Sequence, residues 1–458
     1  MAALDALPVE LIANIASYLP PQDVKSLSRT SWLIRHAVLR ILYRTLVIPC
    51  PLACTRALED FINKYQELVF RIHLHISLSP NMEEKPHEGP MPSVWGTASS
   101  DTLRQIVRGD TLSHIDSFIV EFDPGQFEPD GWWGENGWWG DQDNLGTIHV
   151  VEHEEDWDQT LQQEHDIIWR AQHNEVMHTI SANPNITNLK MSNLLPKNTS
   201  AWETPEWASF LGRLQVLDIS VFGGNNGACW QANTMPGFAE FIDNLPYFII
   251  RHAQNIKHFS LEAHKEGLFG TTAYQYRILL PLQEDHFLFL RSLKLKNIMI
   301  GPDLLEFLET RVDCLEELEL HDCMCSGPQW RAVPPTWGDL WKTMRERNVR
   351  LRKVCVVQSR MPPLMWGENY KEDFQTSEDS EAAKRVRKRL EKDKSLVLWR
   401  YARVDDKYGW VAELPDTNLK NFEKGEDQRE YEKLLKMLEA RSKGRPAGGD
   451  DRSPLFEF

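Results

Sequence analysis

A short apolar signature recurs through most of this chain and leaves it few ways to fold. Its form is apolar-x-x-apolar-x-apolar. It appears as Val69-x-x-Ile72-x-Leu74, Ile115-x-x-Phe118-x-Val120 and Ile186-x-x-Leu189-x-Met191. It returns as Leu214-x-x-Leu217-x-Ile219, Ile256-x-x-Phe259-x-Leu261 and Leu290-x-x-Leu293-x-Leu295. Leu315-x-x-Leu318-x-Leu320-x-x-Cys323 is the cleanest copy, and Leu351-x-x-Val354-x-Val356 is the last. The final two apolar positions alternate, so they share one face of a strand. The first, three residues earlier, packs where a preceding helix turns into that strand. Helical patterns lie between the copies, at 57–67, 103–107, 163–181, 238–252, 304–310 and 340–347. Strand and helix repeated in series predict an irregular α/β solenoid, with copies about 25 to about 70 residues apart. The same spacing also suits a non-repetitive α/β domain whose strands alternate.

Ahead of the first copy stands a different pattern. Leu7-Pro8 opens a helix, proline fitting the first helical position because its missing N–H is not needed there. Leu11, Ile12, Ile15, Tyr18 and Leu19 follow at helical spacing and predict one apolar face. Pro20-Pro21 ends the helix. Gln22-Asp23 begins a short second helix, where the acid suits the positive end of the dipole and Val24 and Leu27 make a small apolar face. Thr30 or Ser31 caps a third, which carries Trp32, Leu33, Val38, Ile41 and Leu42. Three short helices make too little core to stand alone, so the unit leans on the rest of the chain or on another protein. The segment at 44–48 reads as a strand stopped by Pro49.

The order Leu7, Pro8, Glu10, Leu11, Ile15, Tyr18-Leu19, Asp23, Leu27-Ser28 and Trp32 resembles the F-box. That resemblance implies that these residues contact a Skp-type adaptor and, through it, a cullin ubiquitin ligase. The strand signature resembles the leucine-rich repeat, strongly at Leu315 to Cys323 and weakly elsewhere. An F-box followed by such repeats resembles the layout of fungal-type F-box proteins, in which the repeats read a target protein. The implied fold class is α+β: a three-helix F-box, an irregular α/β leucine-rich-repeat-like solenoid, and a C-terminal hairpin and helix. The implied divisions are 1–48, 49–360 and 361–458. The implied role is the substrate-recognition subunit of an SCF-type (Skp–cullin–F-box) ligase. The alternative is a scaffold that keeps the adaptor contact without ubiquitination of a bound target.

Charge narrows the partners. With 67 acidic against 51 basic residues and a net charge of −16, the chain is a poor match for nucleic acid or an anionic membrane. No apolar run reaches the length of a membrane-spanning helix. An acid near the start, with no apolar run before Pro8, argues against a signal peptide and for the cytosol or nucleus. The seven cysteines, among them Cys50, Cys54, Cys314, Cys323 and Cys325, lack zinc-ribbon spacing and read as reduced thiols. His165, His173 and His178 spread around a predicted helix, with His149 and His153 upstream, and none forms His-Glu-x-x-His. Neither a nucleophile elbow nor a phosphate-binding loop is present. The expectation is a non-enzyme without metal or cofactor.

Two insertions interrupt the series. The segment at 79–100 is rich in Pro, Gly, Ser and charge and reads as a mobile loop. The segment at 122–162 is acidic and contains Gly-Trp-Trp-Gly twice. Trp132, Trp133, Trp138 and Trp139 either line a groove for a basic or proline-containing peptide or fold back on the protein's own surface. The dense charge at 371–394 reads as a solvated helix or a basic patch. A hairpin at 396–404 and 410–414 should dock on the repeats, because a lone hairpin is marginal. A helix at 426–441 follows, and the tail from 443 has the composition of a disordered segment.

Overall fold

The computed structural model describes residues 7–79, 89–97, 99–124, 157–223, 238–264, 268–270, 278–327, 334–358, 381–404 and 411–443. These form two compact units. The first comprises the described residues up to 124, 158–192 and 199–210, and the second comprises 157, 193–198 and those from 211 onward.

The first unit opens with helices α1 (Val9–Ser17), α2 (Pro21–Leu27) and α3 (Trp32–Leu42). Strands β1 (Thr45–Cys50), β2 (Arg71–Ile76), β3 (Ser117–Phe122) and β4 (Asn188–Leu194) then pair in chain order, every pair parallel. Parallel neighbours need long crossovers. These carry α4 (Arg56–Tyr65), α5 (Ser100–Val107), α6 (Trp157–Asp166) and α7 (Ile168–Ser181). The apolar signature is in register from strand to strand: Ile72 lies opposite Phe118, and Phe118 opposite Leu189. Those three, with Leu74, Val120 and Met191, are fully buried. Strand β1 runs through Pro49, where a stop was expected. It pairs with β2 and sits at the end of the strand order, and an edge strand tolerates the missing N–H of a proline.

Two local expectations are corrected in this unit. The helix expected over 163–181 is broken at Ile167, which is extended at φ −114° and ψ 120°. His165 is therefore exposed on α6 beside Asp166, while His173 is buried on α7. Within the 79–100 insertion the described residues 93–95 are pinned rather than loose. Trp95 is fully buried, and the Glu175 carboxylate accepts hydrogen bonds from Ser93 Oγ and the Val94 N–H, both at 2.8 Å.

In the second unit β5 (Val216–Val221), β6 (His258–Glu262), β7 (Ser292–Lys296), β9 (Glu317–His321) and β11 (Lys353–Val357) form a parallel series. Again the copies align, with Leu217, Phe259, Leu293, Leu318 and Val354 in one row. Helices α9 (Phe238–Phe248), α10 (Pro302–Thr310) and α11 (Trp337–Arg347) occupy the crossovers. Helix α8 (Pro205–Arg213), not among the helices expected from the sequence, has 205–210 in the first unit and 211–213 in the second, and it starts on a proline, which is at home in a first turn. After β7 and β9 the chain turns through Asn297 and Asp322, at φ 58° and 48°. Asn and Asp enter this left-handed region more readily than other side-chain-bearing residues. Short strands β8 (Met299–Ile300) and β10 (Met324–Ser326) follow these turns. They join β12 (Tyr401–Val404) and β13 (Val411–Glu413) in a second sheet.

The hairpin is present as the antiparallel pair β12–β13, and β12 also pairs with β10, which gives it the support a lone hairpin lacks. Helices α12 (Glu381–Lys392), α13 (Pro415–Lys424) and α14 (Glu426–Lys443) complete the unit. Trp399 packs on Trp337, Trp341 and Tyr431 with ring centres 5.0–5.4 Å apart. The buried Asp427 carboxylate accepts from Tyr401 Oη at 2.9 Å and from the Gly338 N–H at 2.8 Å. Burial raises its pKa above the usual carboxylate range.

The α+β class, with N-terminal helices and a mostly parallel sheet with helices, is as expected. A solenoid is not what the described residues show. The crossovers are unequal, with two helices between β3 and β4 but one between β7 and β9 apart from the short β8.

Candidate functional site

The N-terminal helices are built around a small core of their own. Ile12, Ala16, Val24, Ile34, Ala37 and Val38 are buried together, and Leu7, Leu19, Leu27, Ile41 and Leu42 pack partly buried against them. Pro8 precedes α1 with φ −55° and ψ 145°, one residue outside the helix, and its carbonyl accepts from the Ile12 N–H at 3.1 Å. Pro21 starts α2, one residue earlier than Gln22, and Asp23 lies in its first turn. Ser31 caps α3, its hydroxyl accepting from the Ile34 N–H at 3.2 Å.

The expected single apolar face of α1 is divided. Ile12, Ala16 and Leu19 turn to the core, while Leu11, Ile15 and Tyr18 turn away. Positions 11, 15 and 18 form one stripe at i, i+4, i+7, and 12, 16 and 19 form the next stripe round. Leu11 is 48% exposed, Ile15 44%, Tyr18 83%, and Trp32 at the start of α3 80%. Trp32 stacks on His36 with ring centres 5.7 Å apart. Val9 and Leu33 are further exposed apolar residues, not among the expected contacts though each is next in sequence to one of them, Pro8 or Trp32.

The expected contact residues thus fall into three groups. Leu11, Ile15, Tyr18 and Trp32 present apolar surface, and Pro8, Glu10 and Asp23 are exposed beside it in sequence. Leu7, Leu19 and Leu27 serve chiefly the inner core. The Ser28 hydroxyl donates to the Lys25 carbonyl at 2.7 Å, within its own helix end. Trp132, Trp133, Trp138 and Trp139 lie outside the described residues, as do His149 and His153.

A helical cluster that has its own core, yet turns large apolar side chains to solvent, is a protein-interaction module. Residues 4–49 match the F-box-like family model, so this segment is an F-box-like domain. Domains of this family generally bind Skp-type adaptors. The match ends at residue 49 and reaches neither the later strands nor any assignment of source. No curated protein matches the chain.

Elsewhere, His173 sits between the rings of Phe122 and Trp202, and burial, aided by the nearby Arg170, lowers its pKa to about 3. Burial also pushes the Cys50 thiol up to about 12, so it is not a ready nucleophile. Among the described residues no helix is long and apolar enough to cross a membrane.

Proposed function

We propose that this chain is the substrate-recognition subunit of an SCF-type ubiquitin ligase. The F-box would hold a Skp-type adaptor, and through it a cullin. Residues 49–360, whose apolar spacing resembles leucine-rich repeats, would hold a target protein. The observation that carries the reading is the outward stripe of Leu11, Ile15 and Tyr18 with Trp32. Tyr and Trp are the residue types that dominate binding energy when desolvated at an interface. Chemistry would belong to other subunits, and this chain would act by raising the target's local concentration beside them.

The test is co-purification of the full chain with a Skp-type adaptor, comparing wild type with the Leu11→Asp/Ile15→Asp variant. These side chains lie outside the inner core, so the variant should stay folded by circular dichroism while losing about a hundredfold or more in adaptor affinity. Retained binding would sink the reading. Wild-type binding should also be only weakly salt-dependent, as befits an apolar contact. Accumulation of a captured partner when ligase activity is blocked separates the ligase subunit from a non-degradative scaffold.

A further inference from the structure

In the second unit a pocket of about 490 Å³ opens where the strands of the parallel series begin. Its construction follows from the repeated signature. Leu214, Ile256, Leu290 and Leu315, the first apolar residues of successive copies, are fully buried. Next in sequence come Gln215, Lys257, Arg291 and Glu316, which extend the ladder one step before the named strands. The Lys257 N–H donates to the Gln215 carbonyl at 2.8 Å, that of Arg291 to Lys257 at 2.7 Å, and that of Glu316 to Arg291 at 2.7 Å. Neighbouring strands sit about 4.8 Å apart, so these side chains form a closely spaced row.

Two properties of the pocket point to its occupant. One wall carries Leu288 and Phe289, 60% and 58% exposed, side by side in a turn. The rest carries four cations, Arg213, Lys257, Arg291 and Arg350, against the carboxylates Asp313 and Glu316. Glu316 is already engaged by Arg352 at 3.0 Å. A cation excess here runs against a chain whose net charge is −16. Neighbouring His258 feels it: its pKa is lowered first by burial and then by Arg291 and Lys257. The volume falls in the range of about 300–1,000 Å³ typical of small-ligand sites, room for a few side chains rather than a folded surface. Four cations around one compact pocket also fall short of the extended basic stripe that a duplex needs.

We propose that this pocket binds an acidic peptide segment of a partner protein. One large apolar side chain of the segment would rest on Leu288 and Phe289, with flanking carboxylates on Lys257, Arg291 and Arg350. The proposal deepens the target-holding role of residues 49–360 and rests on that reading for the partner's identity alone.

The test is fluorescence anisotropy of the full chain with a labelled peptide Gly-Asp-Glu-Phe-Asp-Glu-Gly at low salt. Binding should weaken at least about tenfold in the Lys257→Glu/Arg291→Glu variant and fall steeply with added salt. It should also weaken in Phe289→Ser, and when the peptide's Phe is replaced by Ser. None of these side chains is buried, so both variants should melt like wild type. Failure of the wild type to bind, or undiminished binding by both variants, overturns the proposal. So does tighter binding, through the same residues, of a DNA duplex of about 20 base pairs or of phosphatidylserine vesicles. No adaptor is present in the assay, so failure here and failure of adaptor binding are read separately.

Discussion

Leu11, Ile15, Tyr18 and Trp32 on the N-terminal helices stand in solvent, whereas Leu293, Leu295, Leu318 and Leu320 on the strands of the second unit are at most 1% exposed. Both sets are regularly spaced apolar residues. The strands bury theirs because each pairs with a parallel neighbour and crossover helices bring further apolar residues to the core, among them Leu304, Phe307, Leu340 and Trp341. The helical cluster is too small to enclose every large side chain it carries, and its inner core takes Ile12, Ala16 and Val38 first. What remains outside is surface suited to a partner. Apolar periodicity therefore marks two different things here, a stability core in one region and an outward apolar face in the other.

Substitutions can break that contrast. The largest loss should come from Leu318→Ala, which empties space in a fully packed strand row and should cost roughly 2–5 kcal/mol in urea denaturation. Ile12→Ala, on the inner side of α1, should lie at the lower end of that range, because the cluster around it is smaller.

A buried polar group in the first unit sharpens the picture through pH. His173 is depressed to about 3 in the fold, against about 6.5 when unfolded. The unfolded chain therefore takes up a proton first as pH falls. The stability tied to a neutral His173 is fully present above about 6.5 and drains away between there and about 3, by up to a few kcal/mol. His173→Phe, which keeps ring contacts with Phe122 and Trp202, should flatten that acid slope, as measured by denaturation across the same window.

Ser31→Ala removes the cap of α3 and should cost about 1 kcal/mol, detectable as faster amide exchange in that helix. The smallest effect on stability should belong to the outward stripe. Tyr18→Ala with Trp32→Ala should change unfolding free energy by no more than about 0.5 kcal/mol, since neither ring is in the inner core. A much larger loss would mean that these rings stabilise the cluster itself, and the contrast between the two regions would fail.

Much of this was legible in the residues. The strand copies could be placed because a period of two, led by an apolar residue three positions earlier, is a local signal, and every copy except the edge strand β11 is fully buried at its paired positions. The cap at Ser31 and the helix pattern of the F-box were local in the same sense. Other features were hidden because they depend on distant partners. Pro49 continues a strand only because β1 lies at an edge, and Tyr401 finds its strand partner in Cys325. The break at Ile167 separates two helices whose patterns run on in sequence.

By itself, then, the sequence determined where the strands of the parallel series lie, that three short helices precede them, and which residue types the N-terminal module offers. Tertiary structure decided which stripe of α1 faces inward, how β8, β10, β12 and β13 make a second sheet, and that Lys257, Arg291 and Phe289 line one pocket. The reason is physical. Hydrogen-bonding period and capping act between residues a few positions apart, while burial and charge clustering arise only once segments far apart in the chain are packed together.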